Sequence, residues 1–109
     1  MVAKSSLGLE ENVAGLLCYL IGFITGIVFL VLEKESAFVR FHALQSTITF
    51  GVFFVLSLFF SFIPFVGWAF NPIIFLLSLI TWIICMIKAY QGEMFKLPVV
   101  GDIAAKQGP

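Results

Sequence analysis

One histidine and a row of hydroxyls are the first candidates for chemistry in this chain. At 100° per residue His42, Ser46, Thr49 and Ser57 fall within a narrow arc of one helix, with Gln45 at its edge. Such a stripe is costly on a lipid-facing side, so it must face a bundle interior or a partner. It could form a hydrophilic track for a proton or small solute, with His42 titrating near neutral pH. It could equally supply interhelical hydrogen bonds, and hydroxyls commonly serve that purpose in lipid, which favours packing. Arg40 lies outside the apolar centre, where phosphate headgroups are its expected contact, and Lys88 can snorkel to the same layer.

Other constellations offer less. No His-Glu-x-x-His, Cys-x-x-Cys or Gly-rich phosphate loop occurs. Cys18 and Cys85 are too few for a zinc site, which wants four ligands. They are read as buried, reduced thiols, because parallel first and third spans would offset them by about 10 Å at about 1.5 Å per residue. Glu33 and Glu35 flank Lys34 at a span end, where a solvated turn accounts for them better than an acid/base pair. No acidic residue lies inside a span, as ion-coupled transport usually needs. The expectation is a protein that is not an enzyme and has neither catalytic residues, metal nor cofactor.

The elements that carry these residues follow from composition. The chain has 109 residues, of which 61% are hydrophobic and 11% charged. Soluble domains run about 45–50% apolar and about 25% charged, so bilayer lipid is the solvent that suits this one. Six basic residues against six acidic ones leave no electrostatic footprint for nucleic acid. The expected partners are membrane lipids together with further copies of the chain or another membrane protein.

Three apolar runs suggest three spans. The first, 13–32, has the length of a transmembrane helix, carries no charge and ends in no signal-cleavage site, so it should stay in the mature protein. On it Gly15, Gly22 and Gly26 share one face, a packing seam of G-x-x-x-G type for either a homodimer or, more simply, the chain's own other spans. The second, 43–63, is expected to extend back to Ala37 with Ser36 as N-cap and to end before Pro64. The third, 72–90, is expected to start at Asn71-Pro72, to place Ser78, Thr81, Trp82 and Cys85 broadly on one side, and to end near Gly92. Lys96-Leu97-Pro98 should be extended, and 93–109 should be a polar C-terminal tail.

This predicts a single all-α membrane domain, a polytopic bundle of three transmembrane helices with its termini on opposite sides. Lys4 stands alone on one side, whereas Lys34, Arg40, Lys88, Lys96 and Lys106 fall on the other. The positive-inside rule then puts the C-terminus in the cytoplasm and the N-terminus outside a multi-pass cell membrane protein.

Two stretches also carry a resemblance. They are Phe38-Val39-Arg40-Phe41-His42-Ala43-Leu44-Gln45-Ser46 and Lys88-Ala89-Tyr90-Gln91-Gly92-Glu93, the latter followed by Lys96-Leu97-Pro98 and Gly101-Asp102-Ile103-Ala104. With the span spacing, over roughly residues 12 to 106, they resemble a widespread prokaryotic family of small membrane proteins of unknown function. That family is similar to the chloroplast inner-envelope import component Tic-twenty. The resemblance implies a non-enzymatic component of a membrane complex linked to protein translocation, and it points to Phe41, His42 and Gln45 as the positions to test. The different reading from the residues themselves is an oligomeric pore or small-solute transporter using the His42 to Ser57 stripe.

Overall fold

The computed structural model describes residues 8–97 and 100–107, with the side chains of 106 and 107 left aside. Expectations for Lys4, Pro98 and the side chain of Lys106 lie outside the described residues. The described chain is all-helical: α1 Glu11–Leu20, α2 Phe23–Leu32, α3 Ala37–Ser61, α4 Val66–Tyr90 and α5 Val100–Gln107.

The run expected as a single first span is broken. Gly22 takes φ 55°, a left-handed value that glycine adopts without a Cβ penalty, and the helix stops at Leu20 and restarts at Phe23. Contacts with α3 give the direction of each half. Along α1, Glu11 meets Ser36, Gly15 lies against Phe38 and His42, and Tyr19 reaches Gln45 and Phe50. Along α2 the order reverses, from Phe23 against Phe54, through Gly26 against Ala43 and Thr47, to Glu33 at Ser36. The two halves form a helical hairpin whose tip reaches about the middle of α3 and whose ends return to one end of the molecule.

A break of this kind interrupts the helical ladder, and side chains supplement what the backbone still provides, where the Gly22 N–H reaches the Tyr19 carbonyl at 3.1 Å and the Gly26 N–H the Gly22 carbonyl at 3.3 Å. The Thr25 hydroxyl bonds the Cys18 carbonyl at 3.1 Å and accepts the Ile21 N–H at 3.1 Å. Ser46 of α3 donates to the Gly22 carbonyl at 2.9 Å, and the Trp82 indole N–H of α4 donates to the Tyr19 carbonyl. Side chains from three helices therefore fix the bend.

Among the described residues two helices, α3 and α4, are long and apolar enough to cross a membrane. At about 1.5 Å per residue each is close to 38 Å long, more than a hydrocarbon core of about 30 Å. Ser36 caps α3, accepting from the Val39 N–H at 3.2 Å, as its side chain and position suggest. The start of α4 differs from the Asn71-Pro72 expectation: the helix begins at Val66, with Pro72 inside it. The turn closes tightly through Phe65 at φ 70° and Gly67, where a Cβ would stand 2.3 Å from the Phe60 carbonyl oxygen. Asn71 does not cap; it bonds Ser61 Oγ at 2.8 Å, tying α4 to α3. Gly92, at φ 82°, ends α4 as expected.

The hairpin also overturns the expectation that the terminal segments lie at opposite ends. Asn12 Nδ2 donates to the Tyr90 carbonyl at 3.2 Å, so the start of α1 and the end of α4 are neighbours, and α1 runs antiparallel to α4. The polar tail is corrected too: 100–107 is helical, Ala104 is fully buried, and α5 packs on α3. Glu10, Glu11, Glu33, Lys34, Arg40, Lys88, Glu93 and Lys96 all belong to the hairpin's open end, the start of α3 or the exit of α4. No Asp, Glu, Lys or Arg occurs between Phe41 and Ile87. The opposite end is the α3–α4 turn, where Phe62, Phe65 and Trp68 are almost fully exposed.

Candidate functional site

The polar residues that the sequence singles out converge at the junction of α1, α3 and the 91–97 strap. Tyr19, His42, Gln45 and Ser46 are all fully buried there. His42 Nε2 lies 2.9 Å from the Glu93 carbonyl oxygen, which can only accept, so Nε2 carries the proton. His42 Nδ1, in the neutral ring, therefore accepts from the Tyr19 hydroxyl at 2.7 Å. Gln45 Nε2 donates to both the Tyr19 hydroxyl and the Phe95 carbonyl at 2.9 Å, while its Oε1 accepts the Leu97 N–H at 2.9 Å. One proton arrangement satisfies every one of these bonds. Rings of Phe38, Phe41 and Tyr19 meet the imidazole edge-on at centroid distances of 4.6, 5.1 and 5.5 Å.

Two side chains of α3 thus hold the strap that leads to α5. Between the Glu93 N–H, which bonds the Lys88 carbonyl at 3.0 Å, and the Leu97 carbonyl, which accepts the Gly101 N–H at 2.8 Å, the strap is neither helix nor strand, and these side chains pair backbone groups that such a segment leaves over. The stripe works as a clamp between α1 and the strap.

Its other members are placed differently. Thr49 is 6% exposed, and its hydroxyl is without a hydrogen-bond partner among the described residues. Ser57 is separate from the clamp and lines, with Ser78, Phe53 and Phe75, an open cleft of about 350 Å³ beneath the hairpin tip. Gly15 and Gly26 both approach α3: a Cβ would stand 2.9 Å from a Phe38 ring carbon at Gly15, and 2.9 Å from Thr47 Oγ1 at Gly26. Gly22 is at the bend, where a Cβ would stand 3.6 Å from the Phe50 side chain, so all three glycines meet α3 although the break ends the single helix face expected to join them.

At the charged end, Arg40 Nη1 donates to the carbonyls of Leu30 at 3.1 Å and Glu33 at 2.6 Å, so the guanidinium caps α2 where headgroup contact was expected. Glu33 is fully buried, not part of a solvated turn. Its Oε2 accepts the N–H groups of Glu35 and Ser36 at 3.0 and 2.9 Å, because a carboxylate there answers the unpaired donors and the dipole at the start of α3. Ser36 also donates to a Glu11 carboxylate oxygen. Lys88 pairs with Glu93 at 3.6 Å and lies over the Phe95 ring. Cys18 and Cys85 are free and buried, as expected, though α1 and α4 run antiparallel and the parallel-span offset does not apply.

Sequence reasoning missed Tyr19, Thr25, Glu33 and Trp82 as members of these networks. Tyr19 was the legible one: a phenol in mid-run, one turn from Gly15, needs a buried partner.

Comparison with known proteins places the chain among membrane proteins. A profile described as the magnetosome magnetite crystal formation protein family matches residues 6–104. A UPF0132 membrane protein of Methanocaldococcus jannaschii is 59% identical over 103 residues, covering 94% of this chain and 93% of the relative. One from Archaeoglobus fulgidus is 61% identical over 99 residues, covering 91% and 96%. A second M. jannaschii protein of that description is 47% identical over 106 residues, covering 97% and 76%. No solved structure matches.

Proposed function

This chain belongs to the magnetosome magnetite crystal formation protein family, and we propose that it acts there as a non-enzymatic structural component of a membrane assembly. One observation carries the reading: the buried Tyr19–His42–Gln45 clamp directs its polar groups onto the chain's own side chains and backbone. It joins the hairpin, α3 and the strap, and so serves to hold the fold. The family's description, with its reference to magnetite crystal formation, supports an assembly role and supplies no ligand for this chain.

In the membrane, α3 and α4 cross and the α1–α2 hairpin enters and leaves from the charged end. Lys34, Arg40, Lys88 and Lys96 then mark that end as cytoplasmic, which puts the starts of α1 and α3 and the end of α4 on the cytoplasmic side. This arrangement takes the place of the three-span topology with the N-terminus outside. A link to protein translocation rests on the resemblance of the Phe38–Ser46 and Lys88–Glu93 stretches alone.

The alternative, an oligomeric pore or small-solute transporter, draws on Ser57 and Ser78 in the open cleft and on the unpaired Thr49 hydroxyl. Native mass spectrometry of the tagged chain, extracted gently from its own membranes, separates the readings. A stoichiometric foreign subunit supports the assembly role. A homo-oligomer whose liposome flux disappears in Ser57→Ala supports the pore, and a lone monomer overturns both.

A further inference from the structure

The cross-section of the protein changes along its long axis. Every buried residue of α3 lies between Val39 and Phe50, and from Gly51 to Ser61 none is buried. The level of Phe50 is also the level of the hairpin tip, since Gly22 faces the Phe50 side chain and Phe23 meets Phe54. On the charged side of that level stand α1, α2, α3 and α4, with α5 and the strap packed on α3. Beyond it, among the described residues, only α3 and α4 continue, closed by the Phe62–Phe65 turn.

The hairpin arms set the depth of this step. Each has ten residues, or about 15 Å at about 1.5 Å per residue, which is half of a hydrocarbon core of about 30 Å. The arms therefore displace lipid from one leaflet only. Two helices about 10 Å across add about 160 Å² of cross-section to that leaflet and none to the other. The step is rigid, because Thr25, Ser46 and Trp82 fix the tip and Arg40 and Glu33 fix the open end.

From this geometry we propose a further property: the chain is a membrane wedge that prefers, and in quantity promotes, bilayers curved with the charged end on the convex face. The partner is the lipid bilayer itself. A leaflet on the convex side has more area to fill at its surface than the concave one, and the four-helix section occupies that excess. The inference rests on the re-entrant placement of the hairpin proposed above.

The test uses the full chain, in a Cys18→Ala, Cys85→Ala background, carrying a small dye on a single cysteine at Gln91. It is reconstituted into phosphatidylcholine–phosphatidylglycerol vesicles about 50 nm across, whose radius is only about eight hydrocarbon thicknesses, and others about 400 nm across. Impermeant quenching of the dye sorts outward-facing from inward-facing molecules. The expected result is an enrichment of about twofold or more on the small vesicles for molecules with the charged end outward, and a depletion for those with it inward. Equal density at both sizes, or the same sign in both orientations, overturns the wedge.

Parallel thiol labelling at Glu10→Cys, Lys34→Cys and Phe62→Cys tells the two failures apart. Labelling of Glu10→Cys and Lys34→Cys from one side and Phe62→Cys from the other, without curvature preference, overturns the wedge and keeps the hairpin. Labelling of Glu10→Cys and Lys34→Cys from opposite sides overturns the hairpin, and the wedge with it.

Discussion

The hydroxyl of Ser46 donates to the carbonyl of Gly22 at 2.9 Å, joining the middle of α3 to the tip of the hairpin. These residues are far apart in sequence, yet this bond helps decide that the first apolar run turns back. The Gly22 carbonyl accepts the first N–H of α2, from Gly26 at 3.3 Å, and Ser46 adds a shorter bond to it from a neighbouring helix. The Trp82 indole does the same for Tyr19, so both long helices meet the bend.

Removing the first of these donors tests the bend directly. Ser46→Ala removes the shortest bond to the Gly22 carbonyl, which keeps the Gly26 N–H at 3.3 Å and the Thr25 hydroxyl at 3.4 Å, and is expected to cost about 0.5–1 kcal/mol. Thermal unfolding in detergent should show a lower midpoint, with Trp82→Phe lowering it further. An unchanged midpoint in both variants would show that the tip does not need these bonds.

Gln45 makes three bonds at once, so its loss should be felt at the strap. Gln45→Leu frees the Leu97 N–H and the Phe95 carbonyl, at about 1 kcal/mol for each bond. Hydrogen exchange of the Leu97 amide should accelerate while amides in the centre of α4 keep their protection. Gln45→Glu retains an oxygen for Leu97 N–H but has no donor for Phe95, and should fall between the two.

Glycines give a matched pair. A Cβ at Gly26 would stand 3.0 Å from both the Ala43 carbonyl oxygen and Ser46 Oγ, so Gly26→Ala should push α2 from α3 and cost about 1–3 kcal/mol. At Gly51 a Cβ meets nothing within 4 Å. Gly51→Ala should leave the unfolding midpoint unchanged or raise it, through a helix propensity gain of about 1 kcal/mol. Equal losses at both positions would place another surface against Gly51.

Arg40 tests the open end of the hairpin. Its Nη1 meets two carbonyls, of Leu30 and Glu33, and Arg40→Gln shortens the side chain and removes its charge at the end of α2. A loss of about 1 kcal/mol is expected, read as faster hydrogen exchange in the last turn of α2. Arg40→Lys, a flexible point charge without the planar fork, should recover only part of it. Full recovery would mean that charge alone matters there.

The site was legible in part. His42, Gln45 and Ser46 fall on one arc of a helix by spacing alone, and a polar arc in an apolar helix must face protein. What they face was mostly not legible, because apart from the Tyr19 hydroxyl their partners are backbone groups of Glu93, Phe95, Leu97 and Gly22. Backbone groups carry no sequence signature. For the same reason the Arg40 guanidinium reads as a headgroup ligand until the end of α2 is seen beneath it.

Composition and the length of the apolar runs determined by themselves that this is a membrane protein, where α3 begins at its Ser36 cap, and that the chain turns near Pro64. Those features depend on local chemistry: transfer of side chains to lipid, a cap hydroxyl, a missing amide proton. Tertiary structure decided what the run 13–32 does. Hydropathy counts apolar residues and is blind to direction, so twenty of them suit one crossing or two half-depth arms equally well. The choice falls to how the groups at a break are met: Thr25 meets the Cys18 carbonyl from within the hairpin, and Ser46 and Trp82 add their donors only once α3 and α4 have packed beside it.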